Sequence, residues 1–218
     1  MSRVGVVGST SWGTTLAILI AREGQQVHLW TRTKDEASRL EIDRENKRVL
    51  PDAPFPPSLH VTSSSRVAFG YADLILFVVP SNTLRDNVRK IANSISKSAV
   101  IVSATKGLEI KTGNRMSEIL AEELPSEVVQ NICALSGPNL AKEIIQGKLS
   151  TTVIASPNSV ASNKAQAIIT SETFRVYTNN DIVGVEFGGA LKNIIAIGAG
   201  ICDGLHYGDN AKAAFITR

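Results

Sequence analysis

Short apolar runs rich in valine and isoleucine alternate with longer amphipathic stretches along most of this 218-residue chain. The apolar runs predict strands at residues 4–7, 27–31, 74–79, 100–104, 132–135, 152–155 and 174–177. The stretches between most of them predict helices at residues 13–22, 34–45, 83–94, 114–123, 141–146 and 159–170. Strands that alternate with helices and are apolar throughout are typical of a parallel sheet buried on both faces. The sequence therefore predicts an α/β protein whose mostly parallel sheet has helices on both faces.

The composition changes near Asp181, after which the chain becomes rich in glycine and apolar residues. This segment predicts one long helix from Ile182 to about Cys202 and a second helix that begins near Asn210. We therefore divide the chain into a sheet domain, residues 1–180, and the beginning of an all-helical domain, residues 181–218. The sequence stops inside the second predicted helix with no capping glycine after it, so we expect the helical domain to be incomplete.

The bulk properties are those of an ordinary globular protein, with 43% hydrophobic and 20% charged residues. A net charge of +3 without a dense basic patch gives no reason to expect a nucleic-acid partner. The two cysteines, Cys133 and Cys202, lie far apart in apolar surroundings, which favours buried thiols and a reducing, cytoplasmic location over a disulfide. We expect no membrane span, because no apolar stretch reaches the required length, and no metal site.

A glycine-containing loop joins the first predicted strand to the first predicted helix. Gly8 permits a tight turn after the strand, and Gly13 lets the helix approach the sheet closely. The helix N-terminus would then offer N–H groups to a pyrophosphate, so the loop predicts a Rossmann-type dinucleotide site. Thr10 stands where the usual pattern has a second glycine, and we expect its side chain to crowd the pyrophosphate. A plain strand–helix turn is the competing interpretation.

The end of the second predicted strand bears on the choice of cofactor. NAD-binding sheets usually place an acidic residue here for the ribose 2′-hydroxyl, whereas this chain has Arg32 and no acid before Asp35. Arg32 could neutralise a 2′-phosphate and stack on adenine, while Lys34 is as well explained as a solvated turn residue. The sequence therefore favours NADP over NAD.

Two lysines are candidates for chemistry at the crevice of the sheet. Lys106 comes just past the strand at residues 100–104, where it could hold an anion, although a surface lysine in a turn would look the same. Lys192 lies within the apolar stretch of the long helix, where desolvation could make it a proton donor and acceptor. A lysine that extends its amine to solvent at the helix edge is an equal alternative.

Taken in order, the motifs of the chain resemble those of bacterial NAD(P)-dependent glycerol-3-phosphate dehydrogenases. The resemblance runs the whole length of the chain and rests on these segments: Gly8, Ser11-Trp12-Gly13-Thr14-Thr15-Leu16-Ala17, Leu29-Trp30-Thr31-Arg32, Asn46, Leu50-Pro51, Ala72-Asp73-Leu74, Val79-Pro80-Ser81, Ser103, Thr105-Lys106-Gly107-Leu108-Glu109, Ser136-Gly137-Pro138-Asn139-Leu140-Ala141-Lys142-Glu143, Gly184-Val185-Glu186, Gly189-Ala190-Leu191-Lys192-Asn193, Gly200, Asp203-Gly204-Leu205, Gly208-Asp209-Asn210 and Thr217-Arg218.

The resemblance implies reversible reduction of dihydroxyacetone phosphate to sn-glycerol 3-phosphate with NADPH or NADH, which feeds phospholipid synthesis. It implies that Lys192 is the general acid/base and that Lys106 contacts both substrate and cofactor. It further implies a set of cofactor-binding residues, Gly8, Ser11, Trp12, Gly13, Arg32, Lys106 and Ala141, and a set of substrate-binding residues, Lys106, Gly137, Asn139, Lys192 and Asn193. The family usually has serine where Asn139 stands. The sequence allows a homodimer without specifying one.

Other interpretations stay open on the residues alone. The family's chains continue past Arg218 with further substrate-gripping residues, so the 218-residue chain is expected to bind cofactor but to reduce little dihydroxyacetone phosphate. One alternative is a dinucleotide-binding module without turnover. Another is a two-domain dehydrogenase of similar architecture, such as a relative of ketopantoate reductase or of hydroxyacyl-CoA dehydrogenase. The Gly-Ala-Leu-Lys-Asn run that ends at Asn193 favours the glycerol-3-phosphate dehydrogenases over these other dehydrogenases.

Overall fold

The protein is described by a computed structural model that covers all 218 residues. Its strands are β1 (Arg3–Val7), β2 (Gln26–Trp30), β3 (Leu59–Thr62), β4 (Leu74–Phe77), β5 (Val100–Ser103), β6 (Ile132–Ser136), β7 (Ser150–Ala155) and β8 (Phe174–Asn179). They form one sheet in the order β3-β2-β1-β4-β5-β6-β7-β8. All neighbours are parallel except β6 and β7, which are antiparallel.

Ten helices accompany the sheet. They are α1 (Ser11–Arg22), α2 (Lys34–Asp43), α3 (Ser65–Phe69), α4 (Leu84–Ile91), α5 (Met116–Glu123), α6 (Ser126–Val129), α7 (Ala141–Ile145), α8 (Ser159–Ile169), α9 (Ile182–Gly204) and α10 (Gly208–Thr217). The predicted fold class, a Rossmann-type mostly parallel sheet followed by helices, is confirmed.

Three short elements were not predicted from the sequence. Strand β3 follows a loop that contains four prolines, and its four residues are too few to show a clear alternation. Helices α3 and α6 have five and four residues, shorter than the two turns over which helical periodicity becomes visible. All three are fixed by their contacts within the fold. Strand β3, for example, pairs with β2 along its whole length.

The core has one layer on each side of the sheet. One layer contains the buried faces of α1 and α8, and the other contains those of α3, α4 and α5. Cys133 lies fully buried on β6, and burial raises the pKa of its thiol to about 12. Cys202 is only half-buried on α9, and both cysteines are free thiols. The prediction that no disulfide forms is consistent with this arrangement, although Cys202 is less buried than expected.

Helix α9 is largely exposed, with only one of its 23 residues buried. By length and composition alone it could cross a membrane, since its most apolar window has a mean hydropathy of 1.4. This differs from the expectation that no apolar stretch of the chain reaches the length of a membrane span. One such helix is by itself weak evidence for a membrane span. Helix α9 packs on β6 and β7, and α10 packs back onto α9.

Candidate dinucleotide and substrate site

The loop between β1 and α1 requires glycine at two positions. Gly8 has a φ of 112°, and a Cβ added there would lie 2.6 Å from the carbonyl oxygen of Val78. A Cβ added to Gly13 would collide with the carbonyl oxygen of Gly8. The backbone N–H groups of Ser11 and Trp12, at the start of α1, donate to no group within the chain. The loop therefore presents two free donors at a helix N-terminus, where an anion is stabilised.

The Thr10 side chain has a structural role within the loop that the sequence did not reveal. Its hydroxyl accepts from the backbone N–H of Gly13 at 3.0 Å and donates to the carbonyl oxygen of Val78 at 2.9 Å. The hydroxyl thus caps α1 and ties the loop to the end of β4. Both hydrogen-bonding functions of the hydroxyl are thus used inside the loop, while the crowding of a pyrophosphate by Thr10 stays a prediction.

A cavity of about 560 Å³ opens beside this loop, at the carboxyl ends of β1, β2 and β4. Among the predicted cofactor residues, Gly8 and Arg32 line it. Two further arginines that the sequence analysis did not select, Arg39 and Arg48, also line it. None of the three arginines forms a salt bridge, and they outnumber the two acidic residues of the same lining, Asp35 and Glu36.

Two other residues shape this cavity. Buried Asn46 donates through its amide to the carbonyl oxygen of Ser9 at 3.0 Å and to the hydroxyl of Thr14 at 3.0 Å, which holds the loop against α1. Glu36 accepts from the Ser9 hydroxyl at 2.7 Å. In the sequence, Asn46 stood out only as part of the family resemblance, together with Leu50-Pro51. Nothing in the linear pattern connected it to the glycine loop.

Lys106 lies at the carboxyl end of β5, half-buried, and its amine donates to the carbonyl oxygen of Gly137 at 2.8 Å. Thr105 beside it is buried and ties this turn to β4, because its hydroxyl accepts from the backbone N–H of Val79 at 3.2 Å. Burial, and then the nearby charge of Lys192, lower the pKa of Lys106. The structure thus brings together Lys106, Gly137 and Lys192, which are far apart in sequence.

Lys192 lies on α9, and this helix passes close to the carboxyl ends of β5 and β6 at Gly189. A Cβ added to Gly189 would lie 2.5 Å from the hydroxyl of Ser136 and 3.7 Å from Cγ of Lys106. Lys192 lines an open pocket with Gly137 and Ser136, and its side chain is exposed. Neither Lys192 nor Lys106 forms a salt bridge. Lys106 lines a neighbouring pocket that shares Ser136 with this one, so two lysines without a salt bridge lie close together at this end of the sheet.

The remaining predicted residues lie around these two centres. The Asn139 amide donates to the hydroxyl of Thr152 at 3.2 Å, and its own Oδ1 is buried without a partner. Ala141 begins α7, which packs against α1, whereas Asn193 is exposed and its side chain makes no hydrogen bond. Trp12 packs edge-on against Phe174, with ring centroids 6.0 Å apart.

These features define a Rossmann-type dinucleotide-binding protein. They are a mostly parallel sheet in this strand order, a glycine loop with free N–H groups, and lysines without salt bridges at the edge of the sheet. Residues 3–162 match the sequence profile described as the NAD-dependent glycerol-3-phosphate dehydrogenase N-terminus. Residues 181–218 match the profile described as the C-terminus of the same enzymes. The chain belongs to the NAD-dependent glycerol-3-phosphate dehydrogenase family, as the sequence resemblance indicated.

Individual relatives agree with this assignment. The chain is 49% identical over 219 residues to a glycerol-3-phosphate dehydrogenase [NAD(P)+] of Dehalococcoides mccartyi, a match that covers 100% of this chain and 61% of the relative. It is 47% identical to the enzyme of that name from Chlorobium limicola, covering 99% of this chain and 65% of the relative. The crystal structure of the Coxiella burnetii glycerol-3-phosphate dehydrogenase superimposes with a TM-score of 0.86 at 36% identity, covering 99% of this chain and 65% of that one. The chain thus spans about three fifths of the length of these relatives.

Proposed function

We propose that this protein interconverts dihydroxyacetone phosphate and sn-glycerol 3-phosphate with NADPH or NADH. The observation that carries the proposal is the meeting of Lys106 and Lys192, both without acidic partners, beside a glycine loop that fits a dinucleotide. A small phosphorylated substrate matches the positive charge of this crevice. A cytoplasmic location and a role in phospholipid synthesis remain predictions that accompany the proposal.

Residues 1–180 would hold the dinucleotide. The free N–H groups of Ser11 and Trp12 fit a pyrophosphate, and Gly8 and Gly13 keep side chains out of its path. Arg32, with the neighbouring Arg39 and Arg48, suits a 2′-phosphate, which supports NADPH as the preferred cofactor. Lys106 and Ala141 would complete this set from the ends of β5 and β6.

The nicotinamide, when bound, supplies or accepts the hydride. During reduction the substrate's carbonyl oxygen gains negative charge, and Lys192 would donate a proton to it; in the reverse direction the neutral amine would accept the hydroxyl proton. Lys106 would bind the substrate and stabilise the same negative charge. Its lowered pKa reflects desolvation at the crevice, where electrostatic interactions are stronger than in bulk water.

The substrate's other contacts would come from residues on both sides of the crevice. Gly137 presents its carbonyl oxygen beside Lys106, and Asn139 lies two residues further along the same turn. Asn193 follows Lys192 on α9, which begins the helical region of residues 181–218. We propose that this region is the start of a helical substrate-binding domain.

The test is a comparison of Lys192→Ala with the unchanged chain. Because the relatives are longer, turnover is measured both in the chain itself and in a fusion to the Dehalococcoides mccartyi segment beyond the matched region. We expect Lys192→Ala to reduce turnover by about 10²–10⁴-fold, the usual contribution of a positioned acid, with little change in NADPH affinity. Lys90→Ala, an exposed lysine on α4, is the matched control. Full turnover by Lys192→Ala would refute the assigned role, and failure of the unchanged chain to bind either dinucleotide would refute the proposed function.

A further inference from the structure

Glu186 is the only buried residue of α9, a helix that is otherwise exposed or half-buried. Its side chain retains 6% of its accessible surface. A buried carboxylate is costly unless it is paired and hydrogen-bonded, so its partners indicate what the residue does.

All the partners of Glu186 lie at the start of α5, about 70 residues earlier in the chain. One carboxylate oxygen accepts from the backbone N–H of Ser117 at 2.8 Å. The other accepts from the Ser117 hydroxyl at 2.5 Å and from a guanidinium nitrogen of Arg115 at 2.7 Å. Glu186 therefore satisfies an otherwise unpaired N–H in the first turn of α5, where a negative charge is favoured, and it does so from a separate helix.

Helical spacing relates this anchor to the proposed site. Residues three apart lie on neighbouring positions of one helix face, about 4.5 Å along the axis. Glu186, Gly189 and Lys192 are spaced in this way, and at Gly189 α9 lies close to Ser136 and Lys106. The anchored carboxylate thus lies one turn before this approach, and the Lys192 amine follows one turn after it.

We propose that Glu186 is a positioning residue whose bonds to Arg115 and Ser117 hold α9 against the sheet, so that Lys192 lies beside Lys106. The inference rests on the proposed function for the role of Lys192, but the contact itself does not. The Glu186 carboxylate is fully used by its bonds to Arg115 and Ser117, so it is not free to share the lysine's task. Its effect on the reaction would come through the placement of α9.

Lys106 reports the position of α9 directly. Its pKa is lowered first by burial and second by the charge of Lys192, and α9 contributes to both. Glu186 and Lys106 line one small cavity, and the loss of a nearby negative charge would by itself lower the pKa of a lysine, so a rise in the pKa of Lys106 cannot come from the lost charge. If α9 moves away, the pKa of Lys106 should rise toward the ordinary value of a lysine.

The experiment follows the lysine ¹³Cε resonances of the 218-residue chain against pH, with Lys106 assigned by its own substitution. We expect Glu186→Gln to raise the pKa of Lys106 and to speed amide hydrogen exchange along α9. Glu118→Gln is the matched control, because Glu118 pairs with the same Arg115 at 2.7 Å but makes no hydrogen bond or ion pair with α9. It should leave both measurements unchanged.

An unaltered pKa of Lys106 in Glu186→Gln overturns the proposal, as does an equal change in Glu118→Gln. Should Glu186→Gln fail to fold, Ser117→Ala decides by the same criterion, since it removes one bond and keeps the carboxylate. None of these measurements needs turnover. A chain that shows the expected shift yet binds no dinucleotide would retain the positioning role while the proposed function fails.

Discussion

The hydroxyl of Thr10 donates a hydrogen bond to the carbonyl oxygen of Val78, 2.9 Å away, and so links the glycine loop to the neighbouring strand end. The same hydroxyl caps α1 through the N–H of Gly13. The residue that replaces the usual middle glycine is therefore a structural member of the loop.

Crowding alone would predict that Thr10→Gly tightens dinucleotide binding, whereas this relationship predicts the opposite. Loss of the cap and of the link to Val78 adds freedom to the loop, so we expect NADPH to bind more weakly, as measured by titration calorimetry. Thr10→Ser keeps both hydrogen bonds and should bind nearly as well as the unchanged chain. Thr10→Val keeps the size but loses both bonds, and it should resemble Thr10→Gly. Tighter binding by Thr10→Gly alone would mean that crowding dominates after all.

Arg32 is expected to select the cofactor. It is exposed, lines the cavity beside the loop and forms no salt bridge, so its charge is available to a 2′-phosphate. Replacement by alanine should weaken NADPH by about 1–3 kcal/mol, the scale of a charge-assisted hydrogen bond, and leave NADH nearly unchanged. Lys34→Ala is the control, because Lys34 does not line this cavity. Equal losses for the two dinucleotides would show that Arg32 does not distinguish them.

Much of the site could be predicted because parallel strands bring their carboxyl ends to one edge. The strands that precede Lys106 and Gly137 were both predicted, and as parallel neighbours they end at the same edge, where the Lys106 amine donates to the Gly137 carbonyl oxygen. Arg39 and Arg48 were missed and Asn46 was not assigned to the site, since they reach the cavity from α2 and from the loop after it, whose path no periodic pattern reveals.

The sequence also did not predict the hydrogen-bond partners of individual polar side chains. The burial of Glu186 depends on Arg115 and Ser117, which are remote in the chain and carry no motif of their own. The Thr10 hydroxyl donates to the backbone carbonyl oxygen of Val78. Every residue has such a carbonyl, so no residue type in the sequence identifies this partner. Both contacts arise only when separate elements pack together.

The close contact of Gly13 with Gly8 predicts a steric effect. Gly13→Ala would press its methyl group against the carbonyl oxygen of Gly8, a backbone atom that cannot move without distorting the loop. We expect it to destabilise the fold by about 1–3 kcal/mol in urea unfolding and to weaken dinucleotide binding. Gly200→Ala is the matched control, because it lies in helix α9 with open space around its added methyl. The control should be neutral or slightly stabilising. Equal behaviour of the two variants would contradict the steric explanation.

The final prediction concerns acid stability and the ion pairs around Arg85. This guanidinium bonds to Glu109 at 2.7 and 2.8 Å and to Glu123 at 2.6 Å, and Glu123 also pairs with Arg89. These contacts lower the pKa of Glu109 and of Glu123 from 4.5 to about 2. Because the folded values lie below the unfolded ones, the stabilisation is complete above pH 4.5 and is lost as the pH falls toward 2.

The free energy of unfolding should therefore fall steeply over this acid range, as measured by urea unfolding at a series of pH values. Arg85→Gln removes the main cause of the lowered pKa of Glu109, so its stability should depend less on pH there. Lys97→Gln breaks only the exposed pair with Glu127, in which the lysine side chain is 76% accessible, and it should keep nearly the slope of the unchanged chain. If Arg85→Gln retains the full acid slope, the cluster around Arg85 is not its source, and carboxylates elsewhere must carry it.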